Sequence, residues 1–370
     1  MSSNETSATG PRKVILASRA SQLAQIQTNM VRDALQAAFP DLSFETSFMT
    51  TGGDHNQSQA LYLLGGKSLW TKELEVALQE GVVDMLVHSY KDVPTVLPEG
   101  CEISGVLERE DPVDSLVVRK DLPWKSLEEL PEGAVVGTSS VRRVAQLKRL
   151  FPKLLFRDVS NPEPDLMAHD QHRNTRMAKL DAEDSPYTAL ILAKAGLVRL
   201  GWRPRITADI VPPTLFHAVS QGALAIETRI GDAKSRELCR SITHWQTEWR
   251  CAAERSCLRV LEGGCSVPVG VSTELVLPTT TTDHHHPGSA TLKITGCVTS
   301  LTGDRHVQHS MEEEVKDLEG TEAVGSRLAK VLMETGAKAV LDEITKDREK
   351  RIGEAKTEDE KQKIEAAIAA

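Results

Sequence analysis

Aromatic side chains make up only 4% of this sequence, too few for a surface on which nucleic-acid bases could stack. None of its six cysteines (Cys101, Cys239, Cys251, Cys257, Cys265 and Cys297) forms a CxxC pair, and no Cys/His spacing matches a zinc site. They fit a reducing compartment. No apolar run approaches the roughly 18 residues that a membrane span needs. The N-terminal stretch MSSNETSATGPRK has no apolar core, so it reads as neither a signal peptide nor an anchor. A disordered leader over 1–11 on a cytoplasmic protein is expected. Positive charge is also short. The net charge of −9 repels nucleic acid and anionic membranes as a whole, so an anionic ligand has to be met by a local basic cluster.

What is present is ordinary globular material: 40% hydrophobic and 26% charged residues over 370 positions, enough for two or three domains with real cores. KVILA (13–17) reads as a buried strand. Leu23, Ile26, Met30, Val31, Ala34, Leu35 and Ala38 then form a helical stripe closed by Pro40, and SFETSFM (43–49) alternates as a strand. The alternation continues with a helix near 71–80 and strands at 83–88, 115–119 and 134–137. A helix at 141–150 and strands at 154–159 and 189–192 follow, then a helix near 194–200. Such order implies α/β domains with mainly parallel sheets, and PWKSLEELPEG (123–133) reads as a connection between two of them. The last third differs. Strands at 269–277, 291–300 and 305–314 precede a helix bearing Val324, Leu328, Val331 and Leu332, the pattern of a small antiparallel α+β domain. PTTTTDHHHPGS (278–289) is expected as its hairpin loop, with His284–His286 solvated rather than metal-binding. The tail from 347 is a charged helix or disordered.

Four stretches carry candidate chemistry. In SRASQLAQIQT, Arg19, Ser21 and Gln27 surround a helix start, an anion site or simply a capped helix with a solvated arginine. In GTSSVRRVAQLKRL, a strand runs into Thr138, Ser139 and Ser140 and then a helix opening with Arg142 and Arg143. Two cations in a first turn oppose the helix dipole, so an anion is expected beside them, with a plain helix cap as the alternative. In VDMLVHSYKDVPT, Ser89, Lys91 and Asp92 follow the C-terminal end of a buried strand, where open α/β sheets bind ligands; a surface ion pair is the alternative. Finally, LEGGCSVPVG places Cys265 on a tight loop just past a helix whose Trp249, Ala252, Ala253, Cys257, Val260 and Leu261 share a face. The C-terminal end of a helix does not favour a thiolate. Cys265 therefore reads as a thiol modified once, or as a structural one.

Together these stretches resemble the porphobilinogen deaminase (hydroxymethylbilane synthase) family. SRASQLAQIQT, KSLWTKELE, VDMLVHSYKDVPTVLP, ERED, GTSSVRRVAQL, LILAKAGLVRLG, QGALAIE and AERSCLRVLEGGCSVPVG run in family order from about 12 to 345. The resemblance implies a transferase of tetrapyrrole (heme) biosynthesis. Such an enzyme condenses four porphobilinogen molecules head to tail, with release of ammonia, and frees hydroxymethylbilane by hydrolysis. It implies a dipyrromethane cofactor joined to Cys265 through a thioether, and Asp92 as the catalytic carboxylate with Lys91 beside it. Lys91, Asp92, Thr138, Ser139, Ser140, Arg142, Arg143, Arg199 and Gln221 are implied to hold the cofactor. Arg19, Ser21, Gln27, Ser89, Arg173 and Arg176 are implied to meet the substrate, and Lys67 and Lys72 lie in the matching lid segment. No metal, nucleic acid or membrane is implied, and a monomer is.

The fold implied is two α/β domains resembling periplasmic binding proteins around a cleft, plus a small α+β domain with a three-stranded antiparallel sheet. Domain 1 would span 12–118 and 216–240, domain 2 119–215, and domain 3, with the cysteine, 241–346; 347–370 is the charged tail. One segment departs from the family. Where its members read VRGN before the second arginine, this chain reads DVSNPEPDLMAHDQHRNTR, and 159–172 reads as an insertion. Arg176 matches the second arginine. Arg173 is the candidate for the missing first one. A catalytically impaired isoform, or an anion-binding clamp without catalysis, is the rival reading.

Overall fold

The computed structural model describes residues 13–50, 71–159, 175–261, 267–278, 288–347, 349, 350 and 353. Along the chain, the first apolar run forms β1 (Val14–Arg19), followed by α1 (Gln22–Ala38), β2 (Phe44–Met49), α2 (Lys72–Gln79), β3 (Met85–Ser89) and β4 (Cys101–Val106). Then come β5 (Asp114–Val118), β6 (Val135–Gly137), α3 (Val141–Leu150), β7 (Leu155–Arg157), α4 (Thr175–Asp181), β8 (Ala189–Ala193), α5 (Lys194–Arg199) and β9 (Ala208–Ile210). The chain continues through β10 (Leu224–Arg229), α6 (Ala233–Ser241), α7 (Trp245–Leu261), β11 (Val269–Val276), β12 (Ala290–Thr299), β13 (His306–Val315) and α8 (Leu318–Leu332).

The strands form two five-stranded sheets, β2-β1-β3-β10-β4 and β7-β6-β8-β5-β9, and a three-stranded sheet, β11-β12-β13. The five-stranded sheets share one plan. β1 lies parallel to β2 and β3, as β6 does to β7 and β8. β10 and β5 then run antiparallel to both their neighbours. Four of the five strands in each sheet therefore run in one direction, as expected of mainly parallel sheets, and β10 and β5 are the reversed ones. A strand delivered by a crossing from the other unit is not bound to the direction that a βαβ crossover enforces. β5 enters the second sheet directly after β4 of the first, and β10 returns to the first after β9 of the second. The chain thus crosses between the sheets at 107–113 and 211–223. The reading that ends domain 1 at 118 would leave β5 with the first sheet; its pairing with β8 and β9 puts it in the second. The stretch 123–133 joins β5 to β6 within one sheet.

Both faces of each five-stranded sheet are covered. Val31 and Leu35 of α1 pack with Leu238 of α6 on one face of the first sheet, and Leu74 and Leu78 of α2 on the other. Two apolar clusters similarly flank the second sheet. The α1 stripe holds only in part: Met30 is exposed, while Gln27 and Thr28 are buried. The three antiparallel strands pack on α7 and α8 around Trp249, Leu292, Ile294, Val298 and Leu328. Here α7 departs from a one-face stripe. It contacts the first sheet, β11, β12 and α8, and it buries Glu254 and Arg255 along with its apolar residues, whereas Val260 is exposed. Among the described residues, no helix is long and apolar enough to cross a membrane, and no group of His, Cys, Asp or Glu could hold a metal ion.

Candidate active site

The buried strand β3 ends at Ser89 and passes into a single helical turn, Tyr90–Asp92. Three contacts hold that turn. Ser89 Oγ donates to Gln27 Oε1 of α1 at 3.0 Å. Buried Arg255 of α7 lies over the Tyr90 ring at 4.5 Å from its centroid and donates to the carbonyls of Val93 at 3.1 Å and Pro94 at 2.5 Å. Lys91 Nζ donates to Gln221 Oε1 at 3.3 Å. Burial lowers the Lys91 amine to about 8, with neighbouring Asp92 pulling the other way. Asp92 itself is exposed.

On the second unit, α3 is capped by Ser140 Oγ, which accepts a long bond from the Arg143 N–H. The Ser140 N–H reaches Thr138 Oγ1 at 3.3 Å, and Ser139 Oγ donates to Asp158 Oδ1 at 2.5 Å. Beside Arg142 and Arg143 lies a carboxylate of the chain itself, that of Asp114. Arg142 Nη2 donates to Asp114 Oδ2 at 2.8 Å, and Arg143 donates to Asp114 Oδ1 from Nη2 at 2.7 Å and from Nε at 3.1 Å. Their remaining Nη1 groups reach the Phe216 carbonyl at 2.6 Å and the Ile191 carbonyl at 2.8 Å. Burial alone would raise the Asp114 carboxyl; the two guanidinium groups reverse this and hold it well below the usual range. Arg176 of α4 lies within the field of Arg143, Asp158 and Asp92, and burial lowers its pKa.

The two units meet at 220–222. Gln221 Nε2 donates to Asp114 Oδ1 at 3.0 Å and to the Pro112 carbonyl at 2.6 Å. Arg199 Nη2 donates to the Gly222 carbonyl at 2.6 Å, while its Nε is buried with no hydrogen-bond partner. Gly222 has φ +89°, and a Cβ there would strike the Glu110 carbonyl, so only glycine fits. Arg109 Nε bonds the Gln221 carbonyl at 2.8 Å, and its other two nitrogens pair with Glu254 of α7 at 2.6 and 3.0 Å.

The structure therefore brings Lys91, Asp92, Arg142, Arg143, Arg176 and Gln221 into one electrostatic neighbourhood. Ser89 and Gln27 brace its edge. Arg19 ends β1, Ser21 caps α1 by accepting from the Ala24 N–H at 3.4 Å, and Lys72 opens α2, exposed. Cys265, Arg173, Lys67 and His284–His286 lie outside the described residues. The other five cysteines are buried and free, and burial pushes Cys257 and Cys297 up to about 12, which leaves these thiols inert as nucleophiles. Sequence reasoning missed Asp114, Asp158 and the Arg109–Glu254 pair. ERED and AERSC hold Arg109 and Glu254, but no local pattern joins residues so far apart.

Two like-ordered α/β units joined by a double crossing, with a third, α+β unit attached, define the class of fold, and charged groups of the first two units gather where they meet. The chain belongs to the porphobilinogen deaminase family. Residues 14–237 match the family described as "Porphobilinogen deaminase, dipyromethane cofactor binding domain", and 249–334 match "Porphobilinogen deaminase, C-terminal domain". The porphobilinogen deaminase of Nostoc sp. is 44% identical over 90% of this chain and 95% of its own length. That of Saccharomyces cerevisiae is 40% identical over 92% and 99%. Among solved structures, the methionine-binding protein MetQ covers 66% of this chain and 96% of its own, with TM-score 0.37 and 13% identity.

Proposed function

We propose that the protein is a porphobilinogen deaminase. It joins four porphobilinogen units head to tail on a dipyrromethane carried by Cys265, and it releases ammonia at each addition. The observation that carries this reading is the convergence of Lys91 and Asp92 from one α/β unit with Arg142, Arg143 and Arg176 from the other. Pyrrole rings bearing acetate and propionate groups need such cations, because a buried carboxylate is stable only when paired. The residues present suit that group, since the buried Arg199 Nε has no partner of its own.

When bound, the dipyrromethane supplies the pyrrole carbon from which the chain grows. Cys265 would hold it by a thioether. Lys91, Thr138, Ser139, Ser140, Arg142, Arg143, Arg199 and Gln221 would hold its carboxylates, while Arg19, Ser21, Gln27, Ser89, Arg173 and Arg176 meet the incoming substrate. Loss of ammonia from porphobilinogen leaves a cation. The exposed Asp92 carboxylate stabilises that charge and takes up the proton released when the rings join. The Arg255 clamp on Val93 and Pro94 keeps the Asp92 turn in place. We read the two five-stranded units as the lobes around the substrate and 241–346 as the domain that carries the cysteine, in a monomer acting in the cytoplasm.

Intact mass and peptide mapping of the purified protein test this. The expected result is an added mass of two linked pyrrole units on Cys265, with hydroxymethylbilane formed from porphobilinogen. An unmodified Cys265 after incubation with porphobilinogen or hydroxymethylbilane would overturn it in favour of an anion clamp.

A further inference from the structure

We propose that Asp114 is a positioning residue which, through the Gln221 amide, keeps Lys91 charged and in place beside Asp92. The proposal rests on the reading of the site given above. Asp114 has no exposed surface, yet its carboxylate accepts four bonds: one from Arg142, two from Arg143 and one from Gln221. Gln221 is oriented at both ends. Its N–H side is fixed by Asp114 and the Pro112 carbonyl, which leaves Oε1 aimed at Lys91 Nζ at 3.3 Å.

The charged groups facing Lys91 are Asp92 from its own turn, Arg142 and Arg143 from α3, and Asp114 from β5. Without Asp114, Lys91, Arg142 and Arg143 would lose the buried carboxylate they share, and the exposed Asp92 would be left as the acidic group facing Lys91. Mutual repulsion would then expel the Lys91 proton. Asp114 thus acts as a built-in counter-ion. It parks the arginine pair in position before any ligand carboxylate arrives, and the amide passes its negative field on to the lysine.

The test compares wild type, Asp114→Asn and Gln221→Met, each confirmed folded by circular dichroism. Lys91 is labelled with acetic anhydride across pH 6–10, read by peptide mass, which needs no turnover. The labelling midpoint is expected to fall by about one pH unit or more in Asp114→Asn, and to fall by less in Gln221→Met. In turnover assays, the basic limb of kcat/KM should move down in parallel. If Asp114→Asn does not fold, Gln221→Met decides. A Lys91 midpoint equal to wild type in the folded variants overturns the proposal. A wild type that makes no hydroxymethylbilane defeats the functional reading instead, and leaves the labelling comparison standing.

Discussion

Glu254 has no solvent exposure and still carries a charge, because Arg109 meets both of its oxygens while the Ser220 N–H at 2.7 Å and the Thr273 hydroxyl at 2.5 Å complete its shell. Burial would raise this carboxyl; Arg109 and its neighbours bring it down to about 2 from 4.5. Its contribution to stability is therefore complete above about pH 4.5 and is lost as the pH falls towards 2. Glu254→Gln should cost about 3–5 kcal/mol at neutral pH, because the buried guanidinium loses its counter-charge. In urea titrations the gap from wild type should shrink steadily below pH 4.5; a gap independent of pH would contradict the ion-pair account. Asp92 is the opposite case. It is exposed, so Asp92→Ala should leave the melting temperature unchanged while turnover falls about 100-fold or more. Near-normal turnover would remove it from the chemistry. Asp92, Lys91 and the arginine pair could be picked out in the sequence, since they sit together at element ends. Asp114 could not, because its partners Arg142, Arg143 and Gln221 come from two segments far from it in sequence, and only the fold makes them neighbours.

At the scale of elements, periodicity worked where a helix has one wet face and failed where it has none. The pattern over 141–150 matches α3 at both ends. α7 was read as amphipathic, yet it is enclosed by the first sheet, β11, β12 and α8, so polar residues such as Glu254, Arg255 and Ser256 are buried with the apolar ones. A pattern of one stripe cannot encode burial from several sides. The contact between α7 and α8 is close enough that a Cβ on Gly325 would run into the Ala253 backbone carbonyl. Backbone cannot yield as a side chain can. Gly325→Ala should therefore fall at or above the upper end of the roughly 1–3 kcal/mol typical of overpacking, read as a lower midpoint in chemical denaturation. A surface glycine with nothing near its missing Cβ, such as Gly133, is a poor control because its φ of +79° disfavours any side chain. Gly353, with neither constraint, is the better one.

For the whole molecule, the double crossing makes the two α/β units unequal. All five strands of the second sheet lie between Asp114 and Ile210, an unbroken stretch of chain. The first sheet is discontinuous, because β10 is inserted between β3 and β4 and, among the described residues, is the sole strand that pairs with β4. Strand patterns alone could not reveal this, since β10 reads the same whichever sheet receives it; only the match of QGALAIE to a known family pointed there. The consequence is measurable with fragments. Residues 107–215 hold a complete sheet and both of its apolar layers, and should fold alone with cooperative thermal unfolding. Residues 13–106 retain β2-β1-β3 but leave β4 without a partner and lose Leu224, Ile226 and Leu238 from the core, so they should stay unfolded. Adding a peptide spanning 220–243 should restore structure to 13–106, because it returns both β10 and α6. Independent folding of 13–106 would mean that the inserted strand is dispensable, and that the crossing serves only to link the lobes.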